Sequence, residues 1–461
     1  MLVACSAYAV YTSYLQVDMH NGLGTFSYDV GLYDQGIWLL SRGHAPFVTL
    51  MGRNLFGDHA SFILLFLVPL YWVIPGTSTL LVLQATAIAA AALPIYFFAQ
   101  RVLKSGELAF MFGMVWLLNP AVNGTNLENF HPDGFLGLFV ALGLYAALTK
   151  KWRLYAVAIA LAILVKEDVL LLVFPLGVYV FARLDKKKGL ATMAASLAVT
   201  IFGMFFVMRS LIGVPTRNSW RIPFGGPTGL IKETFTRPLN IWRYALQDDR
   251  PQYVFQLFAP LAGAFFLSPW LAAVAVPVIA SNVVSTFWYQ HNIQYHYSLV
   301  LMPVLVFACI LGVQKLRDNF RPVAVSVIFA CSVLAFSAWG QTPLSQHPRI
   351  VWKASNPVAK AGLDIITSIP ADAPISVFDP LTTHLAHRKD VYFFPNPFKA
   401  SYYGVDNTLS DKRLPVADRI EYVVLPKSLD VGQQTVWDSV KADYEVVKEN
   451  AYWQVFHKIS H

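Results

Sequence analysis

The sequence predicts a polytopic α-helical membrane protein with a small α/β domain at its C-terminal end. Three observations predict it. Hydrophobic residues make up 56% of the 461 residues and charged residues only 13%, whereas a soluble domain is about 25% charged. Mean hydropathy is +0.49. The charge also divides unevenly at residue 340. The first 340 residues carry 22 Lys+Arg and 14 Asp+Glu, and the last 121 carry 13 of each. The apolar part therefore holds the whole net charge of +8, and the tail has the density of an ordinary soluble domain.

Membrane spans are expected as apolar runs near 20 residues. The first is Met1–Gln16, which lacks a basic n-region and a small-residue cleavage site and so does not read as a signal peptide. It is short for a span, which leaves room for a start upstream. A long polar stretch, 17–59, follows, and then a 15-residue apolar run, Ala60–Ile74, closed by Pro75-Gly76. That run reads as re-entrant or interfacial. Further spans are expected at 79–99, 107–122, 134–149, 154–166, 168–182, 190–211, 253–267, 270–288, 298–314 and 322–339, eleven in all with the first.

Lys and Arg in short loops set the orientation. With the N-terminus inside and 60–74 not crossing, the cytoplasmic loops hold 12 cations, and the outer turns 123–133 and 289–297 hold none. The first loop (17–78), the loop 212–252 and the tail 341–461 then lie outside. Only 212–252 dissents, with six cations, and long loops follow the rule poorly. In the tail, a helix is expected around Val358–Ser368 and another near Gln433–Ala442. Short strands are expected at Ile375–Phe378, Val391–Phe394, Tyr422–Leu425, Tyr444–Val447 and Trp453–Phe456.

Some function classes are excluded. The cations lie in short clusters between apolar runs, so nucleic acid is not the expected partner. Cys5, Cys309 and Cys331 all fall in apolar runs and offer no disulfide framework or thiolate metal site. Gly225-Gly226-Pro-Thr-Gly229 follows no strand and is no phosphate loop.

The chemistry-bearing residues cluster in the outer turns. They are Asp29 and Asp34; Asp58 and His59; Glu128, His131 and Asp133; Lys166-Glu167-Asp168; and His291 and His296. Ionisable groups at membrane depth are costly and usually face a cavity or a partner, so a shared outer site is expected. Each cluster has a structural alternative: Asp58 as a helix N-cap, Asp133 capping the next helix, and Lys166-Glu167-Asp168 pairing among themselves. His291 and His296 lack a clean metal-ligand spacing. With Asp58, Glu128 or Asp133 they still form a candidate set for a divalent metal ion, the one cofactor entertained.

Tyr28-Asp-Val-Gly-Leu-Tyr-Asp-Gln35, Asn54-Leu-Phe-Gly-Asp-His59, Glu128-Asn-Phe-His-Pro-Asp133 and Lys166-Glu-Asp168 together resemble a family of bacterial and archaeal membrane proteins known as domain of unknown function 2079. More distantly, the plan is similar to the GT-C superfamily of membrane glycosyltransferases. That resemblance implies sugar transfer from a polyprenyl-phosphate donor to an acceptor on the outer face of the inner membrane. It places Asp29 where an acidic residue of the first outer loop is expected, as general base, with Asp34 in reserve. Lys166 stands where several such families place a basic residue, and Arg217 and Arg221 of the 212–252 loop are further candidates to face the lipid phosphate. The sequence departs from the superfamily in lacking an adjacent Asp-Glu pair in the first loop, which leaves the choice between Asp29 and Asp34 open. The alternative function is a non-catalytic transporter or lipid-binding scaffold using the same cavity.

Overall fold

The computed structural model describes residues 1–349, 352–403 and 409–459. All eleven expected apolar runs are helical, though not all as single long rods. Among the described residues, four helices are long and apolar enough to cross a membrane: Thr77–Leu103, Lys186–Ile212, His296–Gln314 and Asp318–Trp339. The pair Gly106–Leu117 and Pro120–Glu128, bent by 44°, forms a fifth if counted as one broken span. Shorter apolar helices include Pro132–Leu148, Trp152–Ile163 and Pro269–Val284. The run expected to be interfacial forms only short turns, 3-10 over Phe62–Leu67 and α over Val68–Tyr71. It leaves Leu65, Phe66, Trp72, Val73 and Ile74 exposed.

The chain divides into two compact units: Met1–Ser13, His59–Ile63 and Leu83–Arg349, and Tyr14–Asp58, Leu64–Val82 and Ile350–His461. The helix Met302–Gln314 is the core of the first unit, buried at nearly every position. By contrast, Lys186–Ile212 and Asp318–Trp339 bury only 17% and 22% of their apolar windows. Helices apolar all round and exposed on most faces need lipid around them.

The bend after Leu117 has a local cause. Asn119 accepts the Ala121 N–H at 3.0 Å, and Pro120 takes the first helical position. An Asn cap followed by proline starts a new helix and cannot continue an old one. The helix so begun, Pro120–Glu128, is polar yet buried throughout. Its polar groups find partners: Asn123 donates to the Leu117 and Asn119 carbonyls, Thr125 to that of Ala121, and Asn126 to the Tyr8 hydroxyl. It ends at Glu128.

In the second unit, the tail forms a five-stranded sheet in the order Val391–Phe393, Ile375–Val377, Tyr422–Pro426, Trp453–Lys458, Tyr444–Glu449. The first three strands are parallel and the last two add antiparallel. Helices Pro357–Ile366 and Val431–Val440 accompany it. Phe394, Phe398, Val423, Trp437, Tyr444 and Phe456 share one core. The segment 14–58 belongs to this unit as well. It carries a broken turn at Ser27–Gly31, the helix Leu32–Ser41, and a hairpin pairing Phe47–Val48 with Arg53–Asn54. Gln35 and Thr49 tie it to the sheet. Gln35 Nε2 donates to Thr49 Oγ1 at 2.8 Å, and Thr49 Oγ1 to the Val391 carbonyl at 2.6 Å.

Candidate functional site

The first unit gathers most of the ionisable residues singled out in the sequence. Lys166-Glu167-Asp168 sits at the break between the helices Trp152–Ile163 and Leu170–Arg183, as the interruption of the apolar stretch predicts. Lys166 Nζ lies 3.6 Å from Asp168 and 3.9 Å from Asp133, and 5.6 Å from the centre of the Tyr297 ring. Glu167 turns the other way. One oxygen meets His59 Nδ1 at 2.7 Å and the other accepts the Ala60 N–H at 3.0 Å. His59 thus pairs with an acid 108 residues away. Asp133 faces Lys166 from the start of the 3-10 turn Pro132–Phe135.

Beside these groups stand Glu128, His131 and His296, all buried. Glu128 accepts the backbone N–H of His296 at 2.7 Å and lies 3.1 Å from its Nδ1. The rings of His131 and His296 stack with centroids 3.9 Å apart. The loop carrying His131 is gripped by Gln84, which accepts the His131 N–H at 2.8 Å and donates to the Asn129 carbonyl at 2.7 Å.

His291 and His296 part company. His291 Nδ1 approaches Asp249 at 2.8 Å and lines a cavity of about 290 Å3 with Gln252, Trp339 and His347. Arg221 lies over the Phe287 ring at 4.2 Å and donates to the Tyr297 hydroxyl at 3.3 Å. Among the described residues, neither Arg221 nor Arg217 has a carboxylate partner, and the Nε of each is buried without an acceptor.

The second unit holds the three acids singled out in the first loop, Asp29, Asp34 and Asp58. Asp34 is 1% exposed and accepts from Tyr71 at 2.7 Å, Thr77 at 2.6 Å and His387 at 2.9 Å. A carboxylate so saturated is a structural knot, binding helix, loop and tail. Asp58 closes the short turn Leu55–Asp58 and lies 3.4 Å from Arg53, whose guanidinium covers the Tyr403 ring at 4.3 Å.

Asp29 is different. It is half-buried, at φ +66° and ψ −107°, in the break within Ser27–Gly31. A non-glycine residue there is strained, and such strain clusters at functional sites. Its charge is felt by Asp379 and Tyr403. Burial, with Asp29 adding to it, pushes the Asp379 carboxyl up against the opposing pull of the Ser27 N–H that it accepts at 2.8 Å. Nearby, burial holds His384 down at about 4, and burial takes Arg388 down to about 10.

Sequence reasoning missed the tail's share of this cluster: Asp379, His384, His387 and Tyr403. The run His384-Leu-Ala-His-Arg388 was the available signal, two histidines and an arginine in a domain otherwise read only for its sheet.

The model of one family, described as predicted membrane protein (DUF2079), matches residues 19–458. The chain belongs to that family. Among curated proteins none matches. Among solved structures, the family member's fold is similar to two of ArnT from Cupriavidus metallidurans. The one bound to undecaprenyl phosphate aligns with a TM-score of 0.60 at 13% identity, covering 100% of this chain and 98% of that one. The apo form gives 0.57 at 13% identity, covering 99% and 98%. This DUF2079 chain therefore has a fold similar to that of ArnT.

Proposed function

We propose that the protein transfers a sugar from a polyprenyl-phosphate donor to an acceptor on the outer face of the inner membrane. The observation that carries this reading is the whole-chain likeness to ArnT captured with undecaprenyl phosphate. The residues fit the chemistry in each unit taken by itself. An acceptor hydroxyl is a weak nucleophile, so a carboxylate must take its proton as it attacks the anomeric carbon. Asp29 is assigned that role because it is partly accessible on strained backbone, while Asp34 is buried and already accepts from Tyr71, Thr77 and His387.

The leaving group is a lipid phosphate, which needs positive charge as the bond to the sugar breaks. Lys166 was the first candidate, but Asp133 and Asp168 already offset its charge. Among the described residues Arg221 and Arg217 carry no such partner, and arginine's planar fork suits phosphate. They are assigned the phosphate, with Lys166 holding Asp133 and Asp168 in place.

Native mass spectrometry of the detergent-purified protein tests this. Undecaprenyl phosphate should bind in preference to the uncharged polyprenol, and Arg221→Ala should weaken phosphate binding about tenfold or more, the loss of a charge-assisted contact. Equal binding of both lipids would contradict the proposal.

A further inference from the structure

We propose that Glu128, His131 and His296 form a binding site for one divalent first-row metal ion, with zinc the best fit. The three side chains are buried, 6%, 4% and 6% exposed, and each offers a ligand atom within 4.8 Å of the others. Tetrahedral zinc with bonds of about 2.0–2.1 Å spaces its ligand atoms about 3.3 Å apart. The observed separations bracket that value. His296 Nδ1 lies 3.1 Å and 3.2 Å from the two Glu128 oxygens, and His131 Nδ1 lies 3.9 Å from the nearer one. The His131 and His296 ligand atoms lie within 4.8 Å of each other, so closing on an ion needs shifts of up to about 1.5 Å against the zinc spacing, within the reach of side-chain rotation.

The donor set also selects the metal. Two imidazoles and one carboxylate are the ligands of sites that keep a fourth position open for water or substrate, and imidazole favours zinc and its neighbours over magnesium or calcium.

The scaffold holds all three ligands. Glu128 ends the buried helix Pro120–Glu128, and the His296 N–H fixes one of its oxygens at 2.7 Å. Gln84 fixes the loop before His131 at two backbone groups. Gly124 lets the segment before His296 lie against that helix: a Cβ there would sit 2.5 Å from the Ile293 carbonyl oxygen. Such outer contacts orient metal ligands and are as much part of a site as the ligands themselves. The sequence put His291 with His296 in one candidate metal set despite their lack of a clean ligand spacing, but His291 pairs with Asp249 instead. His131 takes its place.

The test uses full-length protein in detergent, stripped with a chelator, reloaded with zinc chloride and desalted. Elemental analysis should find about one zinc per chain, and zinc should raise Tm over the stripped form, since a ligand that binds only the folded state stabilises it. Glu128→Gln, His131→Asn and His296→Asn should each lower bound zinc tenfold or more, while His291→Asn retains it. His131→Cys keeps a zinc ligand and should keep the ion, which separates loss of ligation from loss of fold. No zinc retained by the wild type with Tm unchanged overturns the proposal, and so does equal zinc in all three asparagine and glutamine variants. A Tm rise with magnesium but not zinc also overturns it. None of these readouts involves sugar transfer, so failure here leaves the proposed activity standing, and the reverse.

Discussion

At the scale of single residues, the two aspartates of the first loop separate by environment. Asp34 is consumed by three hydrogen bonds. Asp34→Ala should destabilise the protein by roughly 1.5–3 kcal/mol, the worth of hydrogen bonds to a charged group, because it removes the acceptor that Tyr71, Thr77 and His387 share. A fall in Tm is the measurement, and an unchanged Tm would contradict the knot. Asp29→Asn keeps the shape and should leave Tm alone. His384 offers a second residue-scale test. Burial holds it at about 4, below the ordinary histidine value, and its Nε2 donates to the His20 carbonyl at 3.1 Å. The folded chain keeps it neutral while the unfolded chain protonates it below about 6.5. Stability from this group is therefore present above about 6.5 and lost as pH falls towards 4. Hydrogen exchange in the strand Ile375–Val377 should lose protection across that window. His384→Gln, which keeps a donor for the carbonyl, should flatten the loss; the same slope in both proteins would refute the assignment.

At the scale of elements, the tail's strands were legible because β-branched and aromatic runs alternate with turn residues. Each strand appears within about two residues of its expected place, the ordinary scatter of element ends. The apolar runs were equally legible as helices. Their breaks were not, since the cap at Asn119 and the kink at Ser27–Gly31 depend on backbone geometry that periodicity does not record. The clusters at 128–133 and 166–168 could be marked from the sequence, yet their partners could not. His59 finds Glu167 and His296 finds Glu128 across 108 and 168 residues. A glycine tests that packing. Gly124→Ala should push the segment 293–296 off the helix Pro120–Glu128, because the new methyl meets main-chain atoms that cannot rotate away. Overpacking of this kind costs about 1–3 kcal/mol, so Tm should fall and zinc uptake with it. An alanine variant as stable as the parent would show that the approach is looser than described.

At the scale of the whole molecule, the account rests on the likeness of the fold to that of ArnT and on an orientation read from charge. The basic clusters at 101–104, 150–153, 183–188 and 315–321 place the tail outside the cytoplasm under the positive-inside rule. Reporter fusions after Lys187 and at the C-terminus should report opposite sides of the membrane; agreement between them would reverse the scheme. The central claim is catalytic, and one assay addresses it most directly. Purified wild-type and Asp29→Asn proteins are incubated with radiolabelled polyprenyl-phosphate sugars and membrane extract, with mass spectrometry of the products. The wild type should move one sugar onto an acceptor, and Asp29→Asn should bind the donor but transfer roughly 10²- to 10⁴-fold more slowly, the usual worth of a positioned base. No transfer by the wild type from any donor, or equal transfer by both proteins, would contradict the account.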